Sequence, residues 1–168
     1  MKLEIYFDYL CKFCEKGHKD WAALLPLCPW IEPVWRPCEA HPRVSEPGYG
    51  MHSDYAIRGM LFLQDHVGNA TAYNDLVFGA VERRENIEDI DLLAACAGQA
   101  GCDPASFAEA LRRGDYEEEL QRANAQAWDV LQMDAVPTCV LEDGRRLDAV
   151  LGVGIPRDKL DQFLHAAR

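Results

Sequence analysis

Long apolar runs are missing from this chain of 168 residues. None approaches the ~20 residues that a membrane-spanning helix needs. Basic charge is also scarce: 17 Lys and Arg stand against 28 Asp and Glu, a formal net charge of −11 at pH 7. A surface that grips phosphate backbones non-specifically needs clustered cations, so nucleic-acid binding of that kind is disfavoured and solubility is the simpler reading of the charge. No glycine-rich phosphate loop, Ser-His-Asp pattern or paired-carboxylate motif stands out. Only Leu3 to Phe7 separates Met1-Lys2 from Asp8, too short a stretch for a secretory h-region. The chain is therefore expected to be cytoplasmic, with no membrane or nucleic-acid partner. No second close cysteine pair accompanies Cys11 and Cys14, which weakens a zinc reading built on them with Cys28, Cys38, His18 or His41.

What the chain has is apolar content of 49%, enough for one domain with a sizeable core, or a small core carrying a large insertion. Residues 3 to 10 read as a mostly buried strand, and a helix should follow from Cys11, carrying Phe13, Trp21, Leu24 and Leu25 to the core until Pro26 and Pro29 end it. Trp30 to Cys38 reads as a second strand that Pro33 and Pro37 push towards an edge. A helix between two strands suggests a parallel βαβ unit. After a turn-rich linker near His41, about ninety residues show helical periodicity and almost no strand signal. Stripes run through Ala56, Met60, Leu63 and Val67, then Ala70, Tyr73, Val77 and Ala80, then Ile90, Leu93, Ala94 and Ala97. Asp103-Pro104 opens a short helix closed at Gly114, and Asp115 with Glu118 has the spacing of a capping box for a long helix through Leu131. Strands over Thr138–Leu141 and Arg146–Val153 flank the hairpin signal Asp143-Gly144, and Pro156 opens a last helix with Leu160, Phe163 and Leu164 on one face. The order is β-α-β, a helical block, then β-β-α. The divisions fall at 1–45, 46–133 and 134–168.

Seven cysteines is an odd number, so complete internal pairing is impossible, and in a reducing compartment most remain thiols. Random placement would give roughly 0.3 Cys-x-x-Cys pairs in such a chain, so context has to decide what Cys11 and Cys14 mean. A thiol at a helix N-terminus faces unpaired N–H groups and the positive end of the macrodipole, which lowers its pKa. A second thiol one turn later can attack a mixed disulfide and resolve it. Cys11 is the expected nucleophile and Cys14 the resolving thiol.

The motif Cys11-Lys12-Phe13-Cys14 after a first strand, the long helical block, and Ala135-Val136-Pro137-Thr138 before a hairpin and final helix resemble the DsbA-like thioredoxin-fold oxidoreductases, especially their FrnE-like branch. The resemblance spans nearly the whole chain. It implies an α/β thioredoxin fold interrupted by a large all-α insertion, and Val136-Pro137 as a cis-proline loop beside the redox motif. It also implies a thiol–disulfide oxidoreductase that needs no metal or organic cofactor, with glutathione as a candidate thiol co-substrate. Lys12, Phe13, Val136 and Pro137 would contact a disulfide-bearing protein or small thiol, and a redox partner would reset the pair. Lys12 stands where many relatives carry proline, and Ile5 where some carry a buried acid. The same superfamily includes 2-hydroxychromene-2-carboxylate isomerases and kappa-class glutathione transferases, so a glutathione-dependent isomerase or transferase is the alternative. Those enzymes generally lack a complete redox pair, which favours the first reading.

Further candidates each have a plainer reading. Asp8 is either a proton relay for Cys14 or a turn-capping residue. His18, four residues after Cys14, reads first as a solvated surface histidine. Cys38 ends the second strand on the functional side of a parallel sheet and reads first as a small buried hydrophobe, second as a third redox thiol. Cys139 reads as core, and Cys28, Cys96 and Cys102 as structural or incidental.

Overall fold

Strand β1, Lys2–Phe7, runs through the middle of a four-stranded sheet in the computed structural model, which describes residues 1–168. β2, Glu32–Pro37, lies parallel to it at one edge, with Leu3 opposite Pro33 and Phe7 opposite Pro37. β3, Thr138–Leu141, pairs antiparallel on its other side, and β4, Arg146–Asp148, forms the far edge. The prolines of β2 thus sit where a missing ladder donor faces no further strand. Leu3, Ile5 and Phe7 are wholly buried, and so, nearly, is Tyr6 on the opposite face, so β1 is covered on both sides.

Helix α1, Lys12–Leu24, connects the two parallel strands, and α7, Arg157–His165, packs against it. The Trp30 indole N–H donates to the carbonyl of Leu164 at 3.0 Å, tying the end of α7 to the turn before β2. Between β2 and β3 stand five helices: α2, Asp54–His66; α3, Thr71–Glu82; α4, Ile90–Gln99; α5, Pro104–Arg113; and α6, Glu117–Ala125. A π turn over Gln126–Val130 prolongs α6. Along the three expected stripes Val67 is exposed, Ile90 is half-buried and the other residues are buried. Asp103 caps α5 through the Ser106 N–H, and Gly114 closes it in the left-handed region; such a cap contributes about 1 kcal/mol.

An aromatic cluster joins this block to the sheet. Phe7 of β1 meets Trp35 of β2, Trp21 of α1 and Phe78 of α3 at ring-centroid separations of 5.9, 6.3 and 5.6 Å. Rings at such separations add about 0.5–1.5 kcal/mol per pair beyond the apolar area they bury.

Three expectations need correction. The first strand stops at Phe7, because the Asp8 carboxylate accepts the Leu10 N–H at 3.0 Å and turns the chain before Cys11. The last strand stops at Asp148, because Val150 and Gly154 bond to each other across a tight turn in which Gly152 and Gly154 have positive φ. Asp115 forms no capping box. Tyr116 at φ 68° turns the chain into α6, and the Asp115 carboxylate takes the Arg113 guanidinium instead, at 2.6 Å.

The insertion is closed around Gly59 of α2. A Cβ there would stand 2.3 Å from the Tyr73 hydroxyl and 2.6 Å from Cζ of Phe107, both fully buried. Gly59→Ala should lower the urea midpoint, with a loss of about 1–3 kcal/mol typical of an overpacked core. An unchanged midpoint would mean that this packing is looser than described.

Candidate active site

Cys11 occupies the N-cap of α1, where its carbonyl accepts the N–H groups of Cys14 and Glu15, both at 3.0 Å. Its partly exposed thiol is lowered to about 7, first by the neighbouring Cys14 thiol and then by the N–H groups of Cys14 and Phe13, against the opposing effect of burial. Cys14, one turn on, is wholly buried, and that burial pushes its thiol well above the usual range. One sulfur is therefore close to half ionised near neutral pH and the other holds its proton.

Asp8 lies beside both. Its side chain is 4% exposed, and its oxygens accept the N–H groups of Leu10 at 3.0 Å and Ala40 at 2.8 Å. Burial raises its pKa, while those N–H groups and the Ser53 hydroxyl pull it down. The Asp8 charge raises the pKa of both thiols, and its main-chain N–H acts on Cys14 in the opposite direction. Asp8 thus turns the chain before the motif, and its buried carboxyl lies within electrostatic reach of both thiols.

Opposite Cys11 lies the loop before β3. The Val136-Pro137 bond is cis, and the Cys11 thiol donates to the Val136 carbonyl at 3.6 Å. The Val136 N–H makes no main-chain hydrogen bond. Two adjoining hollows include Cys11 in their walls. One, of about 340 Å³, is walled by Asp8, Lys12, His41, Tyr49, Met51 and His52. The other, of about 400 Å³, is walled by Phe13, Glu39, Trp128, Asp134, Ala135 and Val136. Lys12 is exposed, with its ammonium 5.0 Å from the Phe13 ring centroid. Phe13 packs on the backbone of Gly154, and the tip beyond it exposes Val150, Leu151 and Val153.

Cys38 is fully buried, with its N–H on the Phe7 carbonyl, and burial followed by the Asp8 charge holds its thiol well above the ordinary range. Cys139 is likewise buried, its thiol pushed up to about 12. His18 is not a freely solvated histidine: its ring stacks on Phe78 at 4.6 Å and bonds Asp75 at 2.7 Å. His41 stacks on Tyr49 and contacts Glu46. No group of three or more His, Cys, Asp or Glu is arranged to hold a metal ion.

Sequence reasoning missed Glu39, Asn124, Trp128 and Ser53. Glu39 is 1% exposed; its N–H donates to the Asn124 side-chain oxygen at 2.8 Å, and Asn124 returns an N–H to its carboxylate at 2.8 Å. Trp128 donates to its carbonyl at 2.9 Å. These partners stand 85 and 89 positions away, so no local spacing could announce them.

A family model described as a DSBA-like thioredoxin domain matches residues 2–167. The uncharacterized protein YwbO of Bacillus subtilis is 26% identical over 175 residues, spanning 84% of this chain and 86% of its own. A probable DsbA oxidoreductase from Streptomyces coelicolor superposes with a TM-score of 0.74 at 20% identity, over 99% of this chain and 89% of that one. The cytosolic disulfide reductase DsbM from Pseudomonas aeruginosa, in a structure with GSH, gives 0.75 at 16% identity, over 99% and 98%. At these identities the structural likeness speaks for the fold.

Because the Cys14 thiol is the largest influence lowering Cys11, Cys14→Ala should raise the Cys11 pKa above about 7. The pH dependence of iodoacetamide alkylation at Cys11, followed by mass, reads the shift. A titration unmoved by the substitution would assign the lowered value to the helix end alone.

Proposed function

Because the chain belongs to the DSBA-like thioredoxin domain family, we propose that it is a thiol–disulfide oxidoreductase working through Cys11 and Cys14. The observation that carries this reading is the contrast between the two sulfurs: Cys11 partly exposed and lowered to about 7, Cys14 wholly buried and raised. The Cys11 thiolate attacks one sulfur of a substrate disulfide. A Cys11–substrate bond forms, and the other substrate sulfur leaves with the electron pair. Cys14 then gives its proton to Asp8 and attacks Cys11. The second substrate sulfur departs, so the substrate gains two electrons and the protein is left with a Cys11–Cys14 disulfide.

The unused Val136 N–H and the carbonyl beside Cys11 suit an extended peptide paired strand-fashion across the site. The apolar tip of Val150, Leu151 and Val153, next to Phe13, suits a protein or peptide rather than only a small disulfide. No helix is long and apolar enough to cross a membrane. We place the protein in the cytoplasm, where the glutathione poise favours reduction or isomerisation of substrates and glutathione is the candidate small-thiol partner. The chemistry needs no metal or organic cofactor. The isomerase or transferase reading finds no use for a resolving thiol one turn from the nucleophile.

Cys14→Ala should trap a covalent adduct between Cys11 and a disulfide peptide, found by mass and released by dithiothreitol, whereas Cys11→Ala should trap none. Adducts at another cysteine would overturn the assignment of the nucleophile. Leu151→Asp should reduce kcat/KM for a peptide disulfide several-fold while sparing cystine, and equal losses for both would remove the apolar tip from substrate binding.

A further inference from the structure

One buried carboxyl of the site has no part in the exchange just described. Glu39 follows Cys38 at the end of β2 and is 1% exposed. One of its carboxyl oxygens takes the Asn124 amide at 2.8 Å; the other, Oε1, is buried with no hydrogen-bond partner. Its main chain is held at both ends, by Asn124 at the N–H and by Trp128 at the carbonyl. Glu39 and Cys11 both contribute to the wall of the hollow of about 400 Å³ that also reaches Val136. Asp8, by contrast, lines the other of the two hollows. The two carboxyls therefore belong to adjoining hollows that share Cys11, Phe13, Ala40 and His41.

An ionised carboxylate with an unpartnered oxygen in a buried setting is costly, and a protonated one much less so. Burial raises the Glu39 pKa and the Asp54 and Asp8 charges add to that, while the Asn124 amide and the Arg43 main-chain N–H oppose it. The proposed reaction calls for a proton beside Cys11 at one moment. When Cys14 attacks the Cys11 mixed disulfide, the bond between Cys11 and the substrate sulfur breaks and its electron pair leaves on that sulfur.

We propose that Glu39 is the acid that protonates the departing substrate thiolate, while Asp8 takes the proton from Cys14. This rests on the oxidoreductase reading above. The balance is complete: the Cys14 proton passes to Asp8, the Glu39 proton passes to the substrate sulfur, and the Cys11–Cys14 bond replaces the Cys11–substrate bond. Water then restores both carboxyls. Asn124 acts as a positioning residue, bringing the insertion's last helix to bear on the acid.

The test uses leaving groups of different basicity. An alkyl thiolate departs poorly without a proton, whereas nitrothiobenzoate departs readily as the anion, since a leaving thiol of lower pKa leaves faster. Reduced protein is mixed with cystamine or with the bis(nitrothiobenzoate) disulfide, and acid quench with mass detection follows decay of the Cys11 adduct. Glu39→Gln should slow cysteamine release by about tenfold or more, the low end of general-acid effects being about a hundredfold, and slow nitrothiobenzoate release far less. Asn124→Ala should move the same ratio in the same direction, and carries the test if the first variant fails to fold. An unchanged ratio, whether both rates fall together or neither falls, would overturn the proposal. Asp8→Asn separates the two readings: it should slow both leaving groups alike, and if it slows neither, the Asp8 step fails independently of Glu39. Adducts that form but never decay in the unsubstituted protein would instead sink the oxidoreductase reading.

Discussion

The contrast between the two thiols, Cys11 partly exposed at a helix N-terminus and Cys14 wholly buried one turn on, is the constraint on which the rest of the site depends. A helix end offers N–H groups to an anion, and a buried position penalises one, so negative charge settles on Cys11. Two thiols of equal pKa in the same motif would share the charge and lose the distinction between attacker and resolver.

That asymmetry creates a demand for proton transfer, since a resolving thiol that stays protonated must be relieved of its proton before it can attack. In the proposed mechanism that demand falls on carboxyls carried past the ends of the two parallel strands: Asp8 just beyond β1, and Glu39 just beyond β2. Neither is left to solvent. Ala40 holds Asp8 through its N–H, and Asn124 grips Glu39, so the helical insertion reaches the chemistry through an unbroken run of hydrogen bonds and one peptide bond. The insertion also joins the sheet through Phe78 against Phe7. A block that packs on the core and also bonds the site-bearing loops is a structural part of the site as well as its cover.

Legibility followed the range of the interactions. The β-α-β start, the helical stripes and the Thr138–Leu141 strand were readable because burial imposes its period on neighbouring residues. Pro33 and Pro37 announced an edge strand for the same local reason. The place of Cys11 at a helix start, with Cys14 one turn on, was readable for the same reason. What failed was also local in form but decided elsewhere: Asp115 had capping-box spacing, yet a left-handed Tyr116 gave it to Arg113. The strand at Arg146 was cut short by glycines whose positive φ no hydrophobic pattern encodes. Glu39 and Asn124 were silent because a polar pair far apart in sequence has no period, and a buried glutamate looks in one sequence like any other acid in a chain with 28 of them.

The central claim is that Cys11 and Cys14 form one reversible redox couple. Equilibration of the protein in glutathione buffers of defined ratio, followed by alkylation and mass mapping, tests it most directly. The account predicts a single Cys11–Cys14 disulfide that appears and disappears with one midpoint and is abolished by serine at either position. A titration in which no bond forms across the range, or in which Cys38 or another cysteine pairs with Cys11 in place of Cys14, would contradict it.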